Sequence, residues 1–260
     1  MHAKPGSELW WPFGPPSPEA PLRLLCLPHA GGGASVFGPW RKAAGLRIQV
    51  CPIQLPGREA RIREAPFRRM SPLLDALVDV LRPRLAPPYA LFGYSMGALI
   101  AFELTHRLGA AALPLPRVLF LAASAPPHLR NTEHPLHALP DDRFREALRD
   151  LNGTPAAVLD HDELMELMLP ALRADFELTE TYARAPGEPL DTPIVAFGGT
   201  SDPGVPVADL EAWGSQTRAG FRAVTLPAGH FFMESHAAEL LREVRAELDA
   251  RDGAGSDVRA

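Results

Sequence analysis

Two cysteines in 260 residues, Cys26 and Cys51, are too few for a disulfide framework or a cysteine-bound metal. Both sit within apolar runs, Leu24-Leu25-Cys26-Leu27 and Val50-Cys51-Pro52-Ile53, where a thiol serves as a small buried hydrophobe. Lysine is nearly missing, with Lys4 and Lys42 the only two, so arginine carries almost all the positive charge. That charge is outnumbered. The 26 Lys and Arg face 31 Asp and Glu, and the formal net charge of −5 excludes a nucleic-acid binder that depends on a basic surface. No apolar run approaches the ~18 residues that a bilayer-spanning helix requires. Met1 to Pro12 lacks the apolar stretch of a signal peptide, so a cytoplasmic location without membrane partners is expected. Internal repeats and low-complexity segments are missing too.

What is present is an ordinary globular composition, 46% hydrophobic and 22% charged, long enough for one domain over 1–260 and expected to act as a monomer. Six short apolar runs recur: Leu22–Leu27, Ile48–Ile53, Tyr89–Phe92, Val118–Ala122, Ile194–Phe197 and Ala223–Leu226. Runs of this length without strict alternation predict strands covered on both faces, hence an α/β fold with a mostly parallel sheet. Between them lie helical patterns. Leu73, Leu74, Leu77, Val78 and Leu81 follow Ser71-Pro72, read as an N-cap with Pro in the first turn. Another pattern follows Met96 to about Gly109, and a last one runs from about Glu234 to Leu248 before a polar tail after Arg251. The alternation breaks between 128 and 190, where two helical patterns, Asp141–Leu151 and Glu163–Tyr182, stand without a strand. A helical block in that place predicts a lid over the carboxyl edge of the sheet, where such sheets bind ligands.

Gly93-Tyr94-Ser95-Met96-Gly97 matches G-x-S-x-G between a predicted strand and a predicted helix. A serine on that turn projects its hydroxyl from the sheet edge, while the helix N-terminus offers N–H groups to developing negative charge. The competing reading is a tight Gly-Ser-Gly turn without chemistry. Pro28-His29-Ala30-Gly31-Gly32-Gly33 follows the first strand; it lacks the Lys-Ser/Thr of a phosphate loop, and Val36 occupies the third glycine position of a dinucleotide fingerprint. It therefore predicts an oxyanion loop, with the backbone N–H groups of Ala30 and Met96 as the two donors. Chain order places the base after the last strand, at His230 in Pro227-Ala228-Gly229-His230-Phe231-Phe232. His29 reads as a loop-orienting residue, and His236 as a solvated one. The acid comes after the fifth run, where Gly198-Gly199-Thr200-Ser201-Asp202 holds a carboxylate; Ala123 to Pro127 after the fourth holds none. Asp202 is the candidate, against an Asx turn ahead of Pro203.

Together these segments resemble the type II thioesterases, the discrete editing enzymes of polyketide and nonribosomal peptide synthesis, within the α/β-hydrolase superfamily. The resemblance rests on Leu27 to Gly32, Gln54-Leu55-Pro56-Gly57-Arg58-Glu59, Phe92 to Ala98, Leu151-Asn152-Gly153-Thr154-Pro155, Phe197 to Gly199 with Asp202, and Gly229 to Phe232. It implies hydrolysis of stalled or mis-primed acyl groups from the phosphopantetheine arm of acyl or peptidyl carrier proteins. That arm belongs to the carrier, so no cofactor or metal of the chain's own is expected. Family members commonly carry His before the nucleophile, and here that residue is Tyr94. Between Gly57 and Met70 stand Arg58, Arg61, Arg63, Arg68 and Arg69. They read either as a solvated face or as contacts to an acidic carrier and its phosphate. A generic carboxylesterase, an acyltransferase and a silent binding protein of the same fold are the rival readings.

Overall fold

The computed structural model describes residues 7–130, 135–151, 159–184 and 187–256, with side chains through Arg251. Asn152 to Pro155 of the Leu151–Pro155 motif lie outside the described residues. Six strands form one sheet: β1 Leu22–Leu27, β2 Ile48–Pro52, β3 Tyr89–Tyr94, β4 Leu119–Ala122, β5 Ile194–Gly199 and β6 Phe221–Leu226. Their order is β2-β1-β3-β4-β5-β6, and every pairing is parallel. β1, β3, β4 and β5 are buried along their whole length, which is why their sequences are continuously apolar. Only the edge strand β6 is half-exposed, and Arg222 and Thr225 point outward from it.

Alternate residues of each strand feed two cores. Leu25, Leu27 and Leu91 face helices α2 (Met70–Leu81) and α3 (Met96–Ala110). Leu24, Cys26 and Phe92 face the other side, with Phe37, Trp40 of α1 (Gly38–Ala43) and Leu240, Val244 and Leu248 of the C-terminal helix. Each large apolar side chain buried this way contributes about 1.5–3 kcal/mol.

Two helix ends differ from expectation. α2 begins at Met70, with Arg69 in extended geometry as its N-cap, and Ser71 lies inside it. The Ser71 hydroxyl is engaged by Arg107 at 3.0 Å instead of capping the helix. The C-terminal pattern is two helices, a short one over Phe232–Ser235 and a long one over Ala237–Ser256, which runs past the expected stop.

Between β4 and β5 stand α4 (Asp141–Asp150) and α5 (Asp162–Glu180). They enclose a small separate cluster of Phe144, Leu148, Met165, Leu169 and Leu172. Leu164 and Leu167 are 41% and 55% exposed, because the buried stripe of α5 runs through Met165, Leu169 and Leu172. Numbered in chain order, the remaining helices are α6 (Val207–Glu211), α7 (Phe232–Ser235) and α8 (Ala237–Ser256).

The chain leaves β1 for β2 on one side, then returns to place β3 on the other. The crevice outside the carboxyl ends of β1 and β3 is thus the topological switch point, where open α/β sheets bind ligands. Pro28 to Gly33 follows β1, and Ser95 follows β3.

Candidate active site

Ser95 sits between β3 and α3 with φ 54° and ψ −112°, a strained conformation for a residue with a side chain. Two close approaches fix that turn. A Cβ on Gly93 would run into the Gly97 carbonyl, and one on Gly97 into the Leu27 carbonyl, so the flanking glycines let helix and strands meet backbone to backbone. The Ser95 N–H donates to the Ala122 carbonyl at 2.7 Å, tying the turn to β4.

His230 lies beyond β6, and its Nε2 is 3.0 Å from Ser95 Oγ. Its Nδ1 is 2.7 Å from Asp202 Oδ2, on the loop after β5. Asp202 is buried, and Gly204 N–H donates to its other oxygen at 2.8 Å. Burial opposes ionisation of this carboxyl, but the His230 hydrogen bond and charge, with the amides of Gly204 and Val205, outweigh it and hold the pKa below the usual Asp value. An ionised Asp202 accepts the Nδ1–H, which leaves the Nε2 lone pair facing the serine hydroxyl. Ser95, His230 and Asp202 are therefore brought together from three strand ends.

The base is held from below. Tyr94 Oη donates to the His230 carbonyl at 2.6 Å and accepts from Met233 N–H at 3.2 Å. Burial pushes the phenol pKa well above its ordinary value, so the donor proton stays in place. Phe232, fully buried, lies 5.2 Å from the Tyr94 ring, and Phe231 packs between His230 and His29. Tyr94→Phe keeps the ring and removes the strut, leaving two polar groups of the base loop unpaired. The expected result is a kcat about tenfold lower, equivalent to about 1.4 kcal/mol, with KM little changed in steady-state kinetics.

His29 behaves as a structural ring. Burial, then the neighbouring positive charge available to His230, lowers its pKa to about 4, and its Nδ1 has no hydrogen-bond partner among the described residues. On the loop it supports, the Ala30 N–H has no described acceptor, while the Met96 N–H, at the first position of α3, has no acceptor within the helix. A narrow cleft beside Met96 is lined by Leu55, Phe67, Leu73 and Leu178 and by the Arg58 and Asp175 side chains.

The arginine cluster divides. Arg58 and Arg61 are corrections to the idea of a carrier-facing set, because both are buried, 5% and 6% exposed. Arg58 forks onto Asp175 of α5 at 2.6 and 2.8 Å. Arg61 pairs with Glu64, donates to the Gln54 carbonyl and stacks over Trp10. Arg68 and Arg69 are exposed and share Glu177 of α5, and Arg63 is exposed. The Gln54–Glu59 motif is explained by the same geometry. Gln54 Oε1 accepts Ala34 N–H at 3.0 Å, and Glu59 Oε1 accepts the Ser35 hydroxyl at 2.5 Å, so the motif braces the far end of the Gly-rich loop. Asp175 was missed from sequence. Its signal was a carboxylate in the buried helical stripe of Leu172, Asp175 and Thr179, where an ionised group demands a partner.

Among the described residues no three acidic, His or Cys side chains are grouped to hold a metal, and no helix is long and apolar enough to cross a membrane. A parallel sheet with a hydrogen-bonded serine, histidine and aspartate at its carboxyl edge defines an α/β-hydrolase. Within that class the chain belongs to the thioesterase family: residues 22–248 match the model described as "Thioesterase domain". Gramicidin S biosynthesis protein GrsT of Aneurinibacillus migulanus is 40% identical over 229 residues, 88% of this chain and 90% of that one. The solved structure of the RedJ thioesterase, from the prodiginine pathway of Streptomyces coelicolor, is 40% identical with a TM-score of 0.84, covering 92% of this chain and 93% of its own. That of the type II thioesterase BorB, from the borrelidin biosynthetic cluster, is 37% identical with a TM-score of 0.82, covering 90% and 95%. The chain is a thioester hydrolase of the serine-hydrolase kind.

Proposed function

We propose that the protein removes acyl groups from the phosphopantetheine thiol of carrier proteins, as an editing thioesterase of polyketide or nonribosomal peptide synthesis. The observation that carries the reading is the unbroken row from Ser95 through His230 to Asp202, with contacts of 3.0 and 2.7 Å. In the proposed first step Ser95 Oγ adds to the thioester carbonyl as its proton passes to His230 Nε2. The oxyanion lies against the Ala30 and Met96 N–H groups, and collapse expels the arm's thiolate, which takes up the proton held by His230 and departs as the thiol, leaving an acyl-Ser95 beside a neutral imidazole. A water, deprotonated by His230, then adds to that ester; collapse returns the proton to Ser95 and frees the acid. Asp202 holds the ring tautomer and stabilises the imidazolium in both halves. The insertion carrying α4 and α5 serves as the cover over this edge.

The carrier assignment is supported by the relatives' printed connections to gramicidin S, prodiginine and borrelidin biosynthesis. Exposed Arg63, Arg68 and Arg69 are the members of the cluster left to meet an acidic carrier. The reaction needs no cofactor beyond the arm the carrier brings.

A thiolate leaves without general-acid help, so kcat/KM for an acylated carrier protein or a short acyl thioester should exceed that for the matched oxygen ester. Equal or higher turnover of the oxygen ester, with no hydrolysis of acyl-carrier, would overturn the assignment in favour of a carboxylesterase.

A further inference from the structure

The Gly-rich loop after β1 is pinned at two successive peptide planes, and the second pin comes from the insertion. The plane that contains the Ala30 N–H also contains the His29 carbonyl, which accepts the Gly32 N–H at 3.0 Å. The next plane contains the Gly31 N–H, which donates to Asp175 Oδ2 at 2.8 Å. Gly31 has φ +75°, a conformation in which glycine rotates freely, so nothing in its own torsional preference holds that plane. The same helix crowds it from above: a Cβ on Gly31 would collide with Leu172 of α5. Asp175 is itself fixed by the two-pronged contact with Arg58, whose Nε reaches the Pro56 carbonyl at 3.2 Å and whose Nη1 lies 3.4 Å from the Gly32 carbonyl.

We propose that Asp175 is a positioning residue for the oxyanion loop, so that the loop is set for catalysis only while α5 is seated on it. The inference rests on the reading of Ala30 as an oxyanion donor. A buried ion pair is weak evidence of stabilisation, since well-packed apolar replacements of both partners are often neutral. What apolar replacements cannot supply is an acceptor for the Gly31 N–H. Freed, the Ala30–Gly31 plane turns and carries the Gly32 N–H away from the His29 carbonyl, so the His29–Ala30 plane loses its own hold and the Ala30 N–H leaves the direction of the developing charge. Losing one such donor lowers kcat by about 10²–10³-fold in hydrolases of this kind.

The test compares two double variants that both abolish the charge pair. Arg58→Met/Asp175→Leu has no acceptor at 175, whereas Arg58→Met/Asp175→Asn keeps an amide oxygen there. Turnover of a short soluble acyl thioester is expressed per Ser95 labelled to completion by a fluorophosphonate, so unfolded protein does not count. The Leu variant is expected to lose about 10²-fold in kcat with KM within about twofold of wild type. Its affinity for a trifluoromethyl ketone, which forms a tetrahedral anion on Ser95, should fall by a similar factor. The Asn variant should recover most of both. Equal kcat and equal ketone affinity in the two variants would overturn the proposal and leave the pair a packing device. Should the wild-type protein itself turn over no thioester, the catalytic reading fails, which is a separate result.

Discussion

Ser95→Ala abolishes measurable hydrolysis of acyl thioesters while leaving the protein folded. The expected loss in kcat is about 10⁶-fold, the scale on which removal of a triad serine acts in other serine hydrolases. The reason is specific to this turn. Ser95 adopts its strained backbone because Gly93 and Gly97 let α3, β3 and β1 touch, and its N–H is fixed to Ala122. Alanine keeps the same backbone requirement and removes only the oxygen 3.0 Å from His230, so the melting temperature should stay within a few degrees. Activity within tenfold of wild type would mean that water attacks the substrate directly and that the serine is a bystander. Loss of activity with a collapsed melting temperature would point to folding, and circular dichroism separates the two.

Asp202→Asn carries the next largest effect, about 10⁴-fold in kcat, the magnitude seen when the acid of a serine triad becomes an amide. In the wild type the carboxylate accepts the Nδ1 proton, which forces the lone pair onto Nε2. An asparagine can present its NH₂ to Nδ1 instead, and the ring then carries its proton on Nε2, pointing it at the serine hydroxyl it should deprotonate. The depressed pKa of Asp202 adds a pH signature. Its carboxylate is ionised at all pH values above the ordinary Asp range, and the stability it lends the loop, full above that range, is lost progressively as pH falls from the ordinary Asp value through the lower folded-state value. The Asn variant should therefore show a flatter acid limb of stability together with low turnover at neutral pH. A kcat within tenfold of wild type would remove Asp202 from the triad.

Much of this was legible in the chain. The continuous apolar runs marked buried parallel strands to within one or two residues, because a strand covered on both faces has no polar positions to blur its ends. β3, β5 and β6 were each read two residues short: Gly93-Tyr94 and Gly198-Gly199 carry glycines that break an apolar run, and Arg222 is an exposed polar residue on the edge strand β6. The three triad residues were readable because order along the chain and loop position leave few candidates. The supports around them were harder. Tyr94 is the free position of its motif, and only coordinates reveal that its hydroxyl reaches a loop 136 residues away in the chain. Arg58 and Arg61 resembled a surface cluster by density alone; burial depends on what covers them, and Asp175 is 117 residues distant from Arg58. Ser71 looked like a cap by residue type, yet a longer-range partner claimed its hydroxyl.

The backbone contact between Gly97 and Leu27 also divides the molecule's capacity for change. Nucleophile turn and Gly-rich loop form a rigid casting in which almost any added atom is refused. The cleft beside it has both kinds of wall: Arg58 and Asp175 belong to the pair that holds the loop, whereas Leu55, Phe67, Leu73 and Leu178 are ordinary side chains that carry no such constraint. Substitutions at those four apolar positions can therefore accumulate one residue at a time, with Ser95, His230 and Asp202 left where they stand.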